Sequence, residues 1–220
     1  MRNMFKKEEI LPVVEAGDVA RKLKLDYARG VKDQHEKAVE GTNELWERIL
    51  QPDVEIKTLA KDACEFICKR FSIASTGIAL RSSADFKYRY EAVAGLSDEI
   101  VAGFMKLSYT RDELLNSSTY KSHEVSKYSR IFLGEEHPYA AGEEFSYSHP
   151  GLMGMKRRSL TDSLEADYID TFILDAAGEI AGYIEISGTR LRKIPDTTTI
   201  KWVELIAFMF GAALRLRHHS

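Results

Sequence analysis

Three groups of residues have the types and spacing for chemistry. Cys64 and Cys68 stand one helical turn apart, a spacing that can bring two thiolates to one metal ion. A tetrahedral zinc site needs four ligands, and no second pair completes one. Two buried structural thiols are therefore the expectation. The stretch Gly134–Leu164 carries His137 and His149 with Tyr139, Phe145 and Tyr147, among four glycines and two prolines. A connection near 30 residues is long for a compact domain, and its aromatic content argues for an ordered functional loop over a plain linker. The trio Lys156-Arg157-Arg158 falls within it, and Arg190, Arg192 and Lys193 follow later. A guanidinium fork can grip a carboxylate or phosphate through two hydrogen bonds. More often such a trio is solvated, or pairs with acids such as Glu143 and Glu144. No nucleophile elbow, phosphate-binding loop or zinc-protease spacing occurs, so no catalytic residue is assigned.

Secondary structure must position these groups. Tyr168–Leu174 and Glu179–Ser187 alternate as strands, with Ile180, Ile184 and Ile186 on one face and Glu179, Tyr183 and Glu185 on the other. Asp175-Ala-Ala-Gly178 between them has a turn's chemistry, because Asp bonds the local backbone and Gly accepts positive φ. After a polar crossing, Pro195 and Asp196 start a helix with an apolar stripe of Ile200, Val203, Ile206, Ala207, Phe210, Ala213 and Leu214. Upstream, a helix is expected from about Val54 to Ala74. A hairpin follows over Gly77–Arg81 and Phe86–Val93, with Phe86, Tyr88, Tyr90 and Ala92 sharing one face. Short helices are expected at Asp98–Leu107 and Arg111–Leu115. Val125–Leu133 reads as a third strand whose faces are both mixed, as a cavity floor or a sheet edge would be. Val19–Leu50 reads as a helix in which Ala28, Val31, His35, Ala38, Thr42, Leu45 and Ile49 form a weak heptad seam. Gly30 and Gly41 mark places where it could break. That helix either packs on its own domain or pairs with its copy in a dimer.

The order of these pieces resembles a GAF domain. The resemblance rests on Asp175, Gly178, Ile180, Gly182, Tyr183, Ile184, Ile186, Pro195 and the Ile200–Leu214 stripe, and it covers roughly residues 53–217. It implies an α+β fold, a central antiparallel sheet with helices packed on one face; residues 1–52, outside the resemblance, read as an N-terminal helical extension, a possible coiled-coil dimerisation helix. It also makes Gly134–Leu164 a lid over a ligand cavity. On that reading the ligand-binding candidates are Tyr128, Arg130 and Phe132 from the third strand and His137, Tyr139, Phe145, Tyr147 and His149 from the lid. The one enzyme class associated with this fold reduces free methionine sulfoxide with loop cysteines, and the lid here has none. A bilin would want a lid cysteine too, and the Asn-Lys-Phe-Asp-Glu signature of cyclic-nucleotide-binding members cannot be traced in order. Haem at His123, His137 or His149 is an open alternative, although loop histidines are more often solvated. The cofactor is therefore left unassigned.

Composition sets the remaining bounds. The 220 residues are 44% hydrophobic and 30% charged, with a net charge of −3. That is enough for a core and a soluble surface, and it gives no general attraction to nucleic acid. No run approaches the roughly 18 apolar residues of a membrane helix, and the start lacks the apolar core of a secretory signal. A cytoplasmic protein is the default expectation. The sequence thus points to a non-enzymatic sensory module that binds a small molecule, dimerises through its terminal helices and acts on a separate output protein. A purely structural dimerisation domain is the alternative. The dimer seams would be the Ala28–Ile49 line and Ile200, Val203, Ala207, Phe210 and Leu214.

Overall fold

The computed structural model describes residues 34–116, 120–136 and 155–218. Its elements run α1 (Gln34–Ile49), α2 (Ile56–Arg70), β1 (Thr76–Arg81), β2 (Tyr88–Ala94), α3 (Asp98–Phe104), β3 (Ser108–Tyr109), α4 (Arg111–Leu115), β4 (Ser122–Glu124), β5 (Ser129–Phe132), β6 (Tyr168–Leu174), β7 (Ile180–Ser187) and α5 (Thr197–His218). The strands form one seven-stranded sheet in the order β3-β2-β1-β7-β6-β5-β4, with every neighbouring pair antiparallel. The fold class is α+β with a central antiparallel sheet, as the sequence indicates.

The β6–β7 turn forms for the reason its residues suggest. Asp175 Oδ1 accepts the backbone N–H groups of Ala177 and Glu179, both at 2.9 Å, and Gly178 takes φ 79°. At the start of α5, Asp196 Oδ1 accepts the N–H of Thr199 at 2.7 Å, satisfying one orphan donor of the first turn. The apolar stripe of α5 then packs, with Leu59, Ala63 and Ile67 of α2, on Ile78, Ile169, Ile173, Ile184 and Ile186 of the sheet.

Each sheet face has its own cluster. The three long helices cover one face, whereas Ala79, Tyr88, Tyr90, Phe172, Ile180 and Tyr183 on the other meet Phe104 of α3 and the short α4. Helices therefore lie on both faces rather than one, with the two short ones around the second face.

Two expected alternations break at β-bulges. The register shifts between Ile78 and Ala79, so Ala79 pairs with Tyr90 while Ile78 pairs with Ala92. Ala92 accordingly joins the helix-side core, and Tyr88 and Tyr90 face the other way. Phe86 leaves the pattern altogether, in a turn at φ 59° and 68% exposed. A second shift lies beyond Ile173, where Leu174 pairs with Ile180 but Ile173 pairs with Gly182. Ile180 then shares Tyr183's face instead of that of Ile184 and Ile186. An inserted residue turns every side chain after it to the other face.

The expected single strand Val125–Leu133 is instead a hairpin edge. Ser126 Oγ accepts the N–H groups of Tyr128 and Ser129, at 3.0 and 3.1 Å, and closes a turn between β4 and β5. The hydroxyls of Ser126 and Ser129 also donate to Glu204, fastening this turn onto α5.

The described parts of both expected dimer seams are used within the chain. Ala38, Thr42, Leu45 and Ile49 are buried, and α1 packs on α2 and α5. Ile200, Val203, Ala207 and Phe210 lie in the same core. Ala28, Val31 and the His35 side chain fall outside the described residues, as does Gly30. Helix α1 runs unbroken through Gly41, where an added Cβ would run into the Phe66 ring. Gly41 is thus the close approach of two helices rather than a break. Arg217 locks the helix ends together by donating to the carbonyls of Ile49, Gln51 and Val54. Among the described residues no helix is long and apolar enough to cross a membrane.

Candidate functional site

On the face away from the long helices lies a hollow of about 650 Å³. Alternate residues of the central strands form its floor, since successive side chains in a strand point to opposite sides. Tyr90 of β2, Tyr168 and Asp170 of β6, Tyr183 and Glu185 of β7 and Phe132 of β5 all line it. Phe104 and Leu107 at the end of α3, with Tyr109, Leu114 and Tyr120, make one wall. Residues 155–168 and 187–193 contribute the opposite rim.

The floor is acidic at its centre. Asp170 and Glu185 are direct cross-strand partners. Tyr90 donates its hydroxyl to Glu185 Oε2 at 2.6 Å. Asp170 is only 3% exposed, yet its Oδ1 has no hydrogen-bond partner among the described residues. Burial, and then the charge of Glu185, push the Asp170 carboxyl well above the usual range, while Arg130 pulls the other way. Burial, then Glu185, raises the Tyr90 phenol as well; burial, then Asp170, does the same to Tyr183. A buried polar atom left without a partner costs free energy unless something else meets it.

The rim is basic. Lys156, Arg158, Arg190, Arg192 and Lys193 all line it, and Lys193 pairs with Asp162 at 2.6 Å. Arg157 plays a different part. Its guanidinium holds both oxygens of Asp167, at 2.9 and 3.0 Å, and both oxygens of Glu135, at 3.1 and 2.8 Å. Asp167 in turn accepts the N–H groups of Gly134 and Leu164. One arginine therefore joins the two ends of the Gly134–Leu164 stretch at the base of β6.

No family model matches this sequence, and no curated protein is similar to it. Solved structures do match. The A. aeolicus nlh2 GAF domain, solved in an inactive state, aligns with a TM-score of 0.54 at 14% identity, over 84% of this chain and 99% of that one. The GAF domain of a Coxiella burnetii phosphoenolpyruvate-protein phosphotransferase aligns at 0.54 and 14%, over 86% and 97%. Residues 122 to 287 of a methyl-accepting chemotaxis protein align at 0.51 and 10%, over 82% and 99%. The chain has the GAF fold.

Within this GAF fold the sequence-derived candidates separate. Phe132 lines the hollow and stacks on Tyr168, with ring centroids 4.4 Å apart. Arg130 lies beside it, its guanidinium 5.3 Å over the Phe172 ring. Tyr128 sits in the β4–β5 turn and meets Phe208 of α5 edge-on at 4.8 Å, on the helix-covered side. His137, Tyr139, Phe145, Tyr147 and His149 fall outside the described residues, as do Glu143 and Glu144. His123 contacts Glu136 at 2.5 Å. Cys64 and Cys68 are free, buried thiols, and burial above all raises both above the ordinary thiol value. Among the described residues no group of three His, Cys, Asp or Glu could hold a metal.

Sequence reasoning missed the acidic floor. Its signal was Asp170 alone in the apolar run Tyr-Ile-Asp-Thr-Phe-Ile-Leu, a charge where a buried strand has no use for one.

Proposed function

We propose that this chain is a sensory module that binds a small molecule in the hollow over β6 and β7. The observation that carries this reading is the hollow itself, about 650 Å³ across an otherwise packed sheet. A hollow of this size falls within the range of small-molecule sites, and its aromatic floor carries convergent polar groups. Signalling follows from connectivity. The rim residues Gly188–Lys193 lead directly into α5, so a ligand that reorders the rim acts on the helix that Arg217 ties to α1 and α2. No catalytic role is assigned to any residue.

The output is read by a second copy of the chain and then by a separate protein. The surface offered for the second copy is not either expected seam. Leu205, Phe208 and Leu216 are exposed on α5, with Ala212 completing steps of three and four residues. An exposed apolar stripe on a helix suits an isologous helical contact. The ligand part of the reading is tested by thermal shift with a small-molecule fraction from cells. Wild type is expected to be stabilised, and Leu107→Trp, which fills the hollow with an indole, is expected to lose that response. Equal responses in both would refute the site.

A further inference from the structure

We infer that the floor of the hollow receives a protonated nitrogen, an ammonium or guanidinium group on a small ligand, which donates to Asp170 and Glu185. This rests on the sensory reading above and names the ligand's chemical class. Three observations carry it. Asp170 is buried and lines the hollow, and its Oδ1 has no partner among the described residues. Its cross-strand neighbour is a second acid, Glu185, which already accepts the Tyr90 hydroxyl at 2.6 Å. The cross-strand neighbour of Asp170 on its other side is a base, Arg130, but its guanidinium lies over Phe172 and does not line the hollow.

Other occupants fit less well. An anion at the floor would face two carboxyl groups. A metal ion would find two carboxyl groups and no third His, Cys, Asp or Glu beside them among the described residues, short of the carboxylate-rich shell that hard cations favour. A neutral ligand can donate to Asp170 but adds no charge to the acid pair, whose cross-strand base is Arg130 alone. A cationic nitrogen brings donors and charge together, and the rings of Tyr90, Tyr183, Tyr168 and Phe132 around it favour a cation. The basic rim adds a preference at the ligand's far end, where Arg158 and Arg190 would meet an anionic group. Zwitterions should therefore bind best, simple amines next and simple acids worst.

The test uses four matched probes on the full chain: phenylalanine, phenethylamine, 2-phenylethanol and 3-phenylpropionate, by titration calorimetry. The two amines are expected to bind, and Asp170→Asn is expected to weaken them about 30-fold or more while leaving 2-phenylethanol unchanged. A cation requires Asp170 ionised, against the opposing pull of burial and Glu185 and with the help of Arg130; Tyr90 and Tyr183 are the other titratable groups facing it. Amine binding should therefore release a proton in wild type and not in Asp170→Asn. Glu185→Gln supplies a second variant should the first be poorly folded, with the same direction expected. Binding of the alcohol or the acid without the amines would overturn the cation and leave the sensory reading standing. So would amine binding that neither variant weakens. Failure of all four probes would overturn the inference too, and the cell-fraction experiment then judges the site separately.

Discussion

Asp170 is the residue on which the site's energetics turn. A buried carboxyl with a raised pKa holds its proton in the folded chain while the unfolded chain gives it up near its ordinary 3.8. The folded state then binds more protons, so this group's contribution is full below about pH 4 and is lost as pH rises. Asp170→Asn in ligand-free protein should remove that slope. Its melting temperature is expected to match wild type near pH 4 and to exceed it increasingly towards pH 8; a variant that melts lower at pH 8 would contradict the burial argument. Arg157 is the opposite case, a charge whose partners are in place. Its loss strands Asp167, which is 3% exposed, and Arg157→Ala should cost about 3 kcal/mol in urea unfolding. Arg157→Lys should recover little of this, since an ammonium cannot grip two carboxylates as a planar fork does. Full recovery by lysine would mean that charge alone matters there.

At the scale of elements, legibility followed how local the cause is. The β6–β7 turn and the α5 start were readable because Asp175, Gly178 and Asp196 each act within four residues of themselves. The β4–β5 turn was not, because one serine hydroxyl in an otherwise strand-like run closes it. The bulges hid the site. Counted from the turn without the inserted residue, Asp170 falls opposite Ile184, an apolar neighbour; with the bulge it falls opposite Glu185. The acid pair was therefore invisible to simple alternation, although each acid was in plain view. Gly41 shows the same limit in a helix. Sequence alone reads it as a weak point, but it is where Phe66 of α2 crosses α1. Gly41→Ala should thus destabilise by about 1–3 kcal/mol through overpacking, rather than gain the ~1 kcal/mol usual for a helix interior. Chemical denaturation decides the sign.

At the scale of the molecule, the apolar seams of α1 and α5 close one intramolecular core. Phe210 is fully buried in it, so Phe210→Asp should unfold the chain, not merely separate two copies. The dimer is tested elsewhere, at Leu205 and Phe208. Sedimentation of wild type at micromolar concentration is expected to give a dimer, and Leu205→Glu with Phe208→Glu a folded monomer; a wild-type monomer would refute the contact. The central claim concerns the hollow, and native mass spectrometry of the full chain tests it most directly. After exposure to a small-molecule fraction from cells, wild type is expected to carry a low-mass adduct that denaturation releases and that Leu107→Trp does not retain. A chain showing only its own mass, or an adduct held equally by Leu107→Trp, would contradict the account.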